Sequence, residues 1–355
     1  MAALLQFHRR IALYGPSQPL EWLLFLLLLP LSIIYGVVGW LRNKCYDWSL
    51  LPSYKSEVPI VSVGNIAAGG TGKTPVVDWL VKVFLAQGKR PAIISRGYGG
   101  SFSGNVGIVS KADGLLMNAA EAGDEPFLLA RRNPEVFVLI ARKRVAGVRQ
   151  AIDKFGADVI ILDDGFQHRA VQRDVDLVLL DAENPYGNRW PLPTGLLREF
   201  PASLKRADLL LQTRSSGDSS FCFSEKPVFQ SSHRLAEMAI SLAGQPTSFQ
   251  ELAGLKLFAF AGIADPQSFF SALATAGLKI EGSLPLGDHC AYDQQLQKDI
   301  DAAARGCDAL ITTEKDAVKL VSEMFNLRCY QVPMNVAIDN EDTLKAKLQQ
   351  QLWSH

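Results

Sequence analysis

Residues Ala67-Ala68-Gly69-Gly70-Thr71-Gly72-Lys73-Thr74 stand between the apolar run Pro59-Ile60-Val61-Ser62-Val63-Gly64 and a helical pattern over Thr74–Ala86. A glycine-rich turn ending in Gly-Lys-Thr at a strand-to-helix junction commits its flanks to a parallel-sheet unit with an anion site at the strand's carboxyl end. The glycines let consecutive backbone N–H groups turn toward one phosphate, and the helix N-terminus adds its positive dipole end. Lys73 reaches the β and γ phosphates of ATP, and Thr74 offers its hydroxyl to Mg²⁺. Pro75 falls in the first helical turn, where no hydrogen bond is lost. Ala67 occupies the place of the strict pattern's first glycine, with Gly64 three residues earlier, so the loop entrance is expected to differ. A turn that only caps a helix is the competing reading, and it does not account for Gly-Lys-Thr in this position.

The strand-loop-helix rhythm recurs. Strands are expected at Ala92–Ser95, Val136–Ile140, Val159–Leu162, Val175–Leu180 and Leu209–Gln212, with helices from about Asp124 and Lys143. Such alternation predicts an α/β fold, a P-loop NTPase-like parallel sheet with helices on both faces. Tyr186–Pro201, rich in Pro and Gly, reads as a loop. Beyond the polar stretch Ser215–Ser220 a second series follows: a strand at Leu257–Ala261, helices near Gln267–Thr275 and Gln294–Ala304, a strand at Ala309–Thr312 and a helix near Thr343–Leu352. A chain of 355 residues exceeds one hydrophobic core. The expected division is 1–57 as an N-terminal membrane-anchoring segment, 58–181 as the phosphate-loop domain, and 182–355 as a second, smaller α/β domain with its linker.

Trp22–Leu41 carries no charged residue and, as a helix, is roughly 30 Å long, about the thickness of a hydrocarbon core. Arg9 and Arg10 precede it, Arg42 and Lys44 follow, and Trp22, Trp40 and Trp48 lie where interfacial aromatics sit. Pro30 fits either a kinked spanning helix or a hairpin in one leaflet, and positive charge at both ends leaves the choice and the orientation open. A cleaved signal has a shorter core and a small-residue exit, unlike Trp40-Leu41-Arg42. A buried core helix is the remaining alternative. Thirty-six basic against thirty-six acidic residues give no overall field, so nucleic acid is not an expected partner, nor is any obligate protein partner evident. The five cysteines are scattered and never spaced C-x-x-C, which argues for free thiols rather than a zinc site or disulfide framework.

A second chemical segment is Ile160-Ile161-Leu162-Asp163-Asp164-Gly165-Phe166-Gln167-His168-Arg169. An apolar strand ending in acid puts a carboxylate at the sheet edge beside the phosphate loop, where Mg²⁺ needs an oxygen ligand or a bound water. A solvated turn would explain Asp-Asp-Gly but not Phe-Gln-His-Arg. Partition-type ATPases carry a lysine where Ala68 stands. The order Thr313-Glu314-Lys315-Asp316 does not match the guanine-reading motif of GTPases.

With Val63-Gly64-Asn65-Ile66, Gly69–Pro75, Ser95-Arg96-Gly97-Tyr98-Gly99, Gly123-Asp124-Glu125-Pro126, Asp163–His168, Pro193–Glu199 and Thr313–Ala317, the chain resembles the tetraacyldisaccharide 4'-kinases. The resemblance spans most of the chain up to about Lys319. It implies two α/β/α domains around a cleft and transfer of the γ-phosphate of ATP to the 4'-hydroxyl of tetraacyldisaccharide 1-phosphate, giving lipid IVA. It also implies a site at the cytoplasmic face of a Gram-negative inner membrane. By that resemblance Asp124 acts as base, oriented across the cleft by His289 of Gly287-Asp288-His289. Glu125 and Asp163 join Thr74 around Mg²⁺, and Asp164, Gln167 and His168 lie behind them or on the substrate side. Arg144 and Arg198 are candidate phosphate clamps, because a guanidinium fork matches phosphate oxygens. Tyr98 is a candidate stacking aromatic, with core packing as its alternative. An N-cap is the plain alternative for Asp124, and a loop polar residue for His289. Two other functions fit parts of the sequence: a partition-type, membrane-associated ATPase switch, and a kinase for a soluble metabolite.

Overall fold

A computed structural model of the protein describes residues 2–215, 226–288 and 290–353. The chain forms two compact units, each discontinuous in sequence: residues 1–96, 139–232 and 338–355 in the first, 97–138 and 233–337 in the second.

In the first unit the apolar runs become parallel strands, neighbours in the order Val228–Leu235, Leu209–Thr213, Val175–Asp181, Ile60–Asn65, Val159–Asp163 and Pro91–Ser95, with the end of Phe137–Ile140 beyond. Ile60–Asn65 lies between Val159–Asp163 and Val175–Asp181, with Val63 opposite both Asp163 and Leu177. All six of its residues are buried, as expected of a central strand with both faces covered. The helix Lys73–Ala86 buries Val76, Val77, Leu80, Val81 and Phe84, and it packs on the strands Ile60–Asn65 and Val159–Asp163. The parallel arrangement brings the carboxyl ends of these strands to one edge, where the phosphate loop begins.

The second unit holds a six-stranded sheet in the order Pro246–Ser248, Met238–Ser241, Cys329–Val332, Ala309–Thr313, Leu257–Ala261 and Ile280–Pro285. Its middle is parallel, and Met238–Ser241 and Pro246–Ser248 form an antiparallel edge. Two apolar clusters cover it, one around Phe269 and Ile311, the other around Phe260 and Ile300.

The expected boundary after Asp181 differs from these units. Leu209–Thr213 and Val228–Leu235 add to the first sheet by parallel pairing, so that sheet continues past Asp181. Residues 97–138, including Asp124 and Glu125, belong instead to the second unit.

The N-terminal apolar run lies within one helix, Pro19–Asp47, which continues through Pro30. Its buried residues, Glu21, Phe25, Ser32, Gly36 and Asn43, recur at helical spacing and form one stripe. The loop Trp190–Phe200 receives most of that stripe. Phe25 meets Trp190 edge-on, Ser32 Oγ donates to Thr194 Oγ1 at 2.6 Å, and Asn43 Nδ2 donates to Glu199 at 2.8 Å. Gly36 comes so close to Phe200 that a Cβ there would lie 2.5 Å from the ring. The opposite face leaves Leu23, Leu27, Ile34 and Val38 exposed, and only 17 % of the most apolar window is buried. A buried core helix would be covered all round, and this one is not.

Candidate active site

The phosphate loop is braced by side chains and backbone. Gly72, at φ 76°, caps the following helix in the left-handed region, and Gly69 turns at φ 117°. Asn65 Nδ2, at the end of the incoming strand, donates to Ala67 O at 2.8 Å and to Thr71 Oγ1 at 2.9 Å. Ala68 N–H donates to Leu196 O at 2.7 Å, and Arg198 N–H to Ile66 O at 2.7 Å. Arg214 donates to Gly70 O at 2.6 Å while pairing with Asp181 at 2.7 Å.

Strand Val159–Asp163 delivers the two acids beside this loop. Asp163 is 2 % exposed, and its Oδ2 accepts from Ser95 Oγ at 2.8 Å. Asp164 lies at φ 52°, in the left-handed region that Asp enters more readily than most residues with a Cβ. There it receives Arg198 Nη1 on both oxygens, at 2.9 and 2.8 Å, and lies 3.5 Å from Lys73 Nζ. Burial works to raise the Asp164 carboxyl, but Lys73, Arg198 and Arg144 outweigh it and hold it below the ordinary carboxylate range. Glycines allow the close approach behind the acids. A Cβ at Gly64 would lie 2.6 Å from Phe166 Cβ, and one at Gly165 would lie 2.7 Å from Ser62 Oγ. Gln167 Nε2 donates to Asn65 O at 2.9 Å, which ties the turn to the phosphate-loop strand.

Arg144 is 3 % exposed and donates to the carbonyls of Ala141 and Asp163, at 3.2 and 3.4 Å, so it props the strand end from inside. Burial pulls its guanidinium down to about 10, against the opposing pull of Asp163 and Asp164. Burial also pulls the His168 imidazole down to about 4, reinforced by Arg144, Arg42, Arg173 and Arg96. Its Nε2 is buried with no hydrogen-bond partner among the described residues.

In the second unit, Gly123 at φ 91° is the N-cap of the helix Asp124–Arg132. A Cβ on Gly123 would lie 2.5 Å from Tyr98 O, so the helix start rests against the Tyr98–Gly100 backbone. Asp124 is therefore the first helical residue and not the cap. Its Oδ2 lies 2.9 Å from Lys319 Nζ. Glu125 Oε1 lies 3.6 Å from Lys315 Nζ, which also meets Asp288 at 3.0 Å. Burial works to lower the Lys315 ammonium, but Glu125, Asp288 and Asp124 outweigh it and raise it. Tyr98 is 74 % exposed, which rules out core packing.

A family model described as LpxK, tetraacyldisaccharide-1-P 4'-kinase, matches residues 24–353. A tetraacyldisaccharide 4'-kinase of Syntrophotalea carbinolica is 46 % identical, with 98 % of each chain covered. The chain belongs to the tetraacyldisaccharide 4'-kinase family. A second member, from Geobacter metallireducens, is 42 % identical over 85 % of this chain and 90 % of its own. The structure of Aquifex aeolicus LpxK in complex with ATP superposes with a TM-score of 0.80 at 32 % identity, covering 93 % of this chain and all of that one. The fold class is that of a kinase in this family, and a partition-type switch is not favoured.

The expected residues of this kinase thus fall in two groups. The first unit gathers the loop Ala67–Thr74 with Asp163, Asp164, Gln167, His168, Arg144 and Arg198; the second holds Tyr98, Asp124 and Glu125. His289 lies outside the described residues. Its flanking residues Asp288 and Cys290 belong to the same unit as Asp124, whereas the sequence placed the two partners in different domains. Sequence reasoning quoted Ser95 and Lys315 within motifs but assigned no role to them or to Lys319. Ser95 ends a strand at the carboxyl edge of the sheet, a position that signals site chemistry. Lys315 lies in the helical turn Glu314–Ala317 and Lys319 just beyond it, four residues on. Nothing in the sequence points to Arg214.

Proposed function

We propose that this kinase transfers the γ-phosphoryl group of ATP to the 4'-hydroxyl of tetraacyldisaccharide 1-phosphate, forming lipid IVA, at the cytoplasmic face of a Gram-negative inner membrane. The observation that carries this reading is the contact of the loop lysine Lys73 with Asp164 of the Asp-Asp-Gly-Phe-Gln-His segment. It joins the nucleotide-binding turn to the segment most specific to the family. The backbone N–H groups of Gly70–Thr74 and the helix dipole receive the phosphates, and Lys73 neutralises charge on the β and γ groups. Arg198 holds Asp164 beside Lys73, which fixes the lysine's reach.

Thr74 Oγ1 and Asp163 are the oxygens of the first unit that would hold Mg²⁺. Asp163 fits, because it is a buried carboxylate at a strand end whose orientation Ser95 fixes. No group of three or more His, Cys, Asp or Glu gathers for a metal among the described residues. That suits a cation bound mainly by nucleotide phosphates, water and one or two protein oxygens. When bound it neutralises charge on the phosphate oxygens during transfer. Asp124 removes the proton from the acceptor hydroxyl, with His289 as its orienting partner.

The exposed face of Pro19–Asp47 lies in the membrane interface and does not span it. To cross a bilayer, the helix would have to carry the hydrogen-bonded stripe Ser32–Thr194 and Asn43–Glu199 into hydrocarbon, together with the Glu199–Arg206 ion pair. Purified protein given γ-labelled ATP should label the 4'-position of the acylated disaccharide and leave water-soluble sugars unlabelled. Label released only as inorganic phosphate, with nucleotide-dependent dimers, would replace this reading with the ATPase switch. In flotation with anionic vesicles, Leu23→Gln combined with Leu27→Gln and Ile34→Gln should shift the protein to the soluble fraction. Unchanged flotation would remove this face as the anchor.

A further inference from the structure

The residues Thr313–Lys319 make a set of contacts to which the mechanism above assigns no role. Glu314–Ala317 is a single helical turn capped by Thr313, and Asp316 inside it is fully buried. The Asp316 carboxylate accepts from Gly262 N–H at 2.9 Å and from Thr313 Oγ1 at 2.6 Å, which fixes the turn to the end of strand Leu257–Ala261. Glu314 accepts from Arg132 Nε at 2.8 Å, and Arg132 also donates to Met334 O at 2.9 Å. The far end of the helix Asp124–Arg132 is thereby tied to the same turn.

Two ammonium groups extend from this anchored base. Lys315 Nζ lies 3.6 Å from Glu125 and 3.0 Å from Asp288. Lys319 Nζ lies 2.9 Å from Asp124 and donates to Cys290 O at 3.1 Å. Lys315 joins Glu125 to Asp288, and Lys319 joins Asp124 to the Cys290 carbonyl. Both side chains are largely covered, at 20 % and 16 % exposure. A freely solvated pair has neither that cover nor a second fixed partner. The acid at the helix start is also not engaged as its cap, since glycine occupies the N-cap position.

We infer that Lys315 and Lys319 are positioning residues for phosphoryl transfer, holding the carboxylates of Asp124 and Glu125 in one orientation through their own contacts to Asp288 and the Cys290 carbonyl. The inference rests on Asp124 as the base. A carboxylate with free rotamers spends little time in line with the acceptor hydroxyl, and a misplacement of about 1 Å costs on the order of 10²-fold. One lysine held at a fixed backbone carbonyl removes that freedom without touching the substrate.

The test is steady-state kinetics on the full chain. Lys319→Met should lower kcat by about 10- to 100-fold with the KM for ATP essentially unchanged, as loss of a supporting contact does. Lys319→Arg, which keeps the charge, should recover part of the loss. The double variant Lys319→Met/Asp124→Asn should be no slower than Asp124→Asn alone, because both changes remove one function. Wild-type kcat in Lys319→Met would overturn the inference, and so would a double variant slower than Asp124→Asn by the full Lys319→Met factor. Should Lys319→Met fail to fold, Lys319→Gln carries the same comparison, since it retains a donor for Cys290 O. Near-normal turnover in Asp124→Asn alone would defeat the base assignment separately.

Discussion

The two acidic groups of this kinase are assembled by different means. Asp163 and Asp164 follow directly from a strand whose backbone ladder runs beside the phosphate-loop strand, so Val63 and Asp163 are neighbours by register. Asp124 and Glu125 instead pair with Lys319 and Lys315, side chains from a distant chain segment, and Lys315 also pairs with Asp288 from a third. A group set on a ladder inherits its geometry from hydrogen bonds that the whole sheet shares. A group set by ion pairs depends on a few contacts and loses its geometry when one is removed. The first arrangement suits the proposed triphosphate and metal site; the second suits the proposed role of Asp124 as a base.

Four measurements probe this contrast. Asp124→Asn should lower kcat by on the order of 10²–10⁴ while leaving the Kd for ATP near wild type. A large loss of ATP affinity instead would merge the two groups into one function. Lys73→Met should act oppositely, lowering kcat/KM for ATP by about 10²–10³ and weakening nucleotide binding in calorimetry. Retained ATP affinity there would move phosphate binding away from the loop.

Gly64→Ala sharpens the structural half of the comparison, since the new Cβ meets Phe166 at 2.6 Å. Denaturant unfolding should show a loss of about 1–3 kcal/mol, because neither strand nor turn can yield easily. Unchanged stability would mean that the turn is less tightly seated than the ladder argument requires.

The smallest effect concerns His168. Its free-chain pKa is about 6.5, and the folded value is about 4. Between those values the unfolded chain binds a proton that the native protein does not, so stability falls as pH drops through that window and levels off below it. The ring is only half-buried, so solvent screening keeps the effect modest. Thermal midpoints measured from pH 7 to pH 4 should decline less in His168→Asn than in wild type. Equal declines would assign the acid sensitivity to other groups.

Much of the first unit was legible because its signals are local. Apolar runs bounded by glycine gave strands at Ile60–Asn65 and Val159–Asp163, and Gly-Lys-Thr marked the helix that begins at Lys73. The second unit was harder to read. Ile280–Pro285 alternates between half-covered and exposed residues, and Met238–Ser241 and Pro246–Ser248 are short edge strands without a strong apolar run. Arg144 looked like a phosphate clamp from its charge alone. Its burial and its hydrogen bonds to the Ala141 and Asp163 carbonyls came only from the tertiary structure.

The sequence by itself determined the nucleotide loop, the acidic strand end and the apolar helix, since each depends on residues adjacent in the chain or spaced by one helical or strand period. Tertiary structure alone decided that residues 97–138 join the second unit, that one face of the N-terminal helix is spoken for by Trp190–Phe200, and that two lysines stand against Asp124 and Glu125. Those outcomes depend on contacts between segments far apart in the chain, and no local pattern of side chains encodes which distant partner a charged or apolar group will meet.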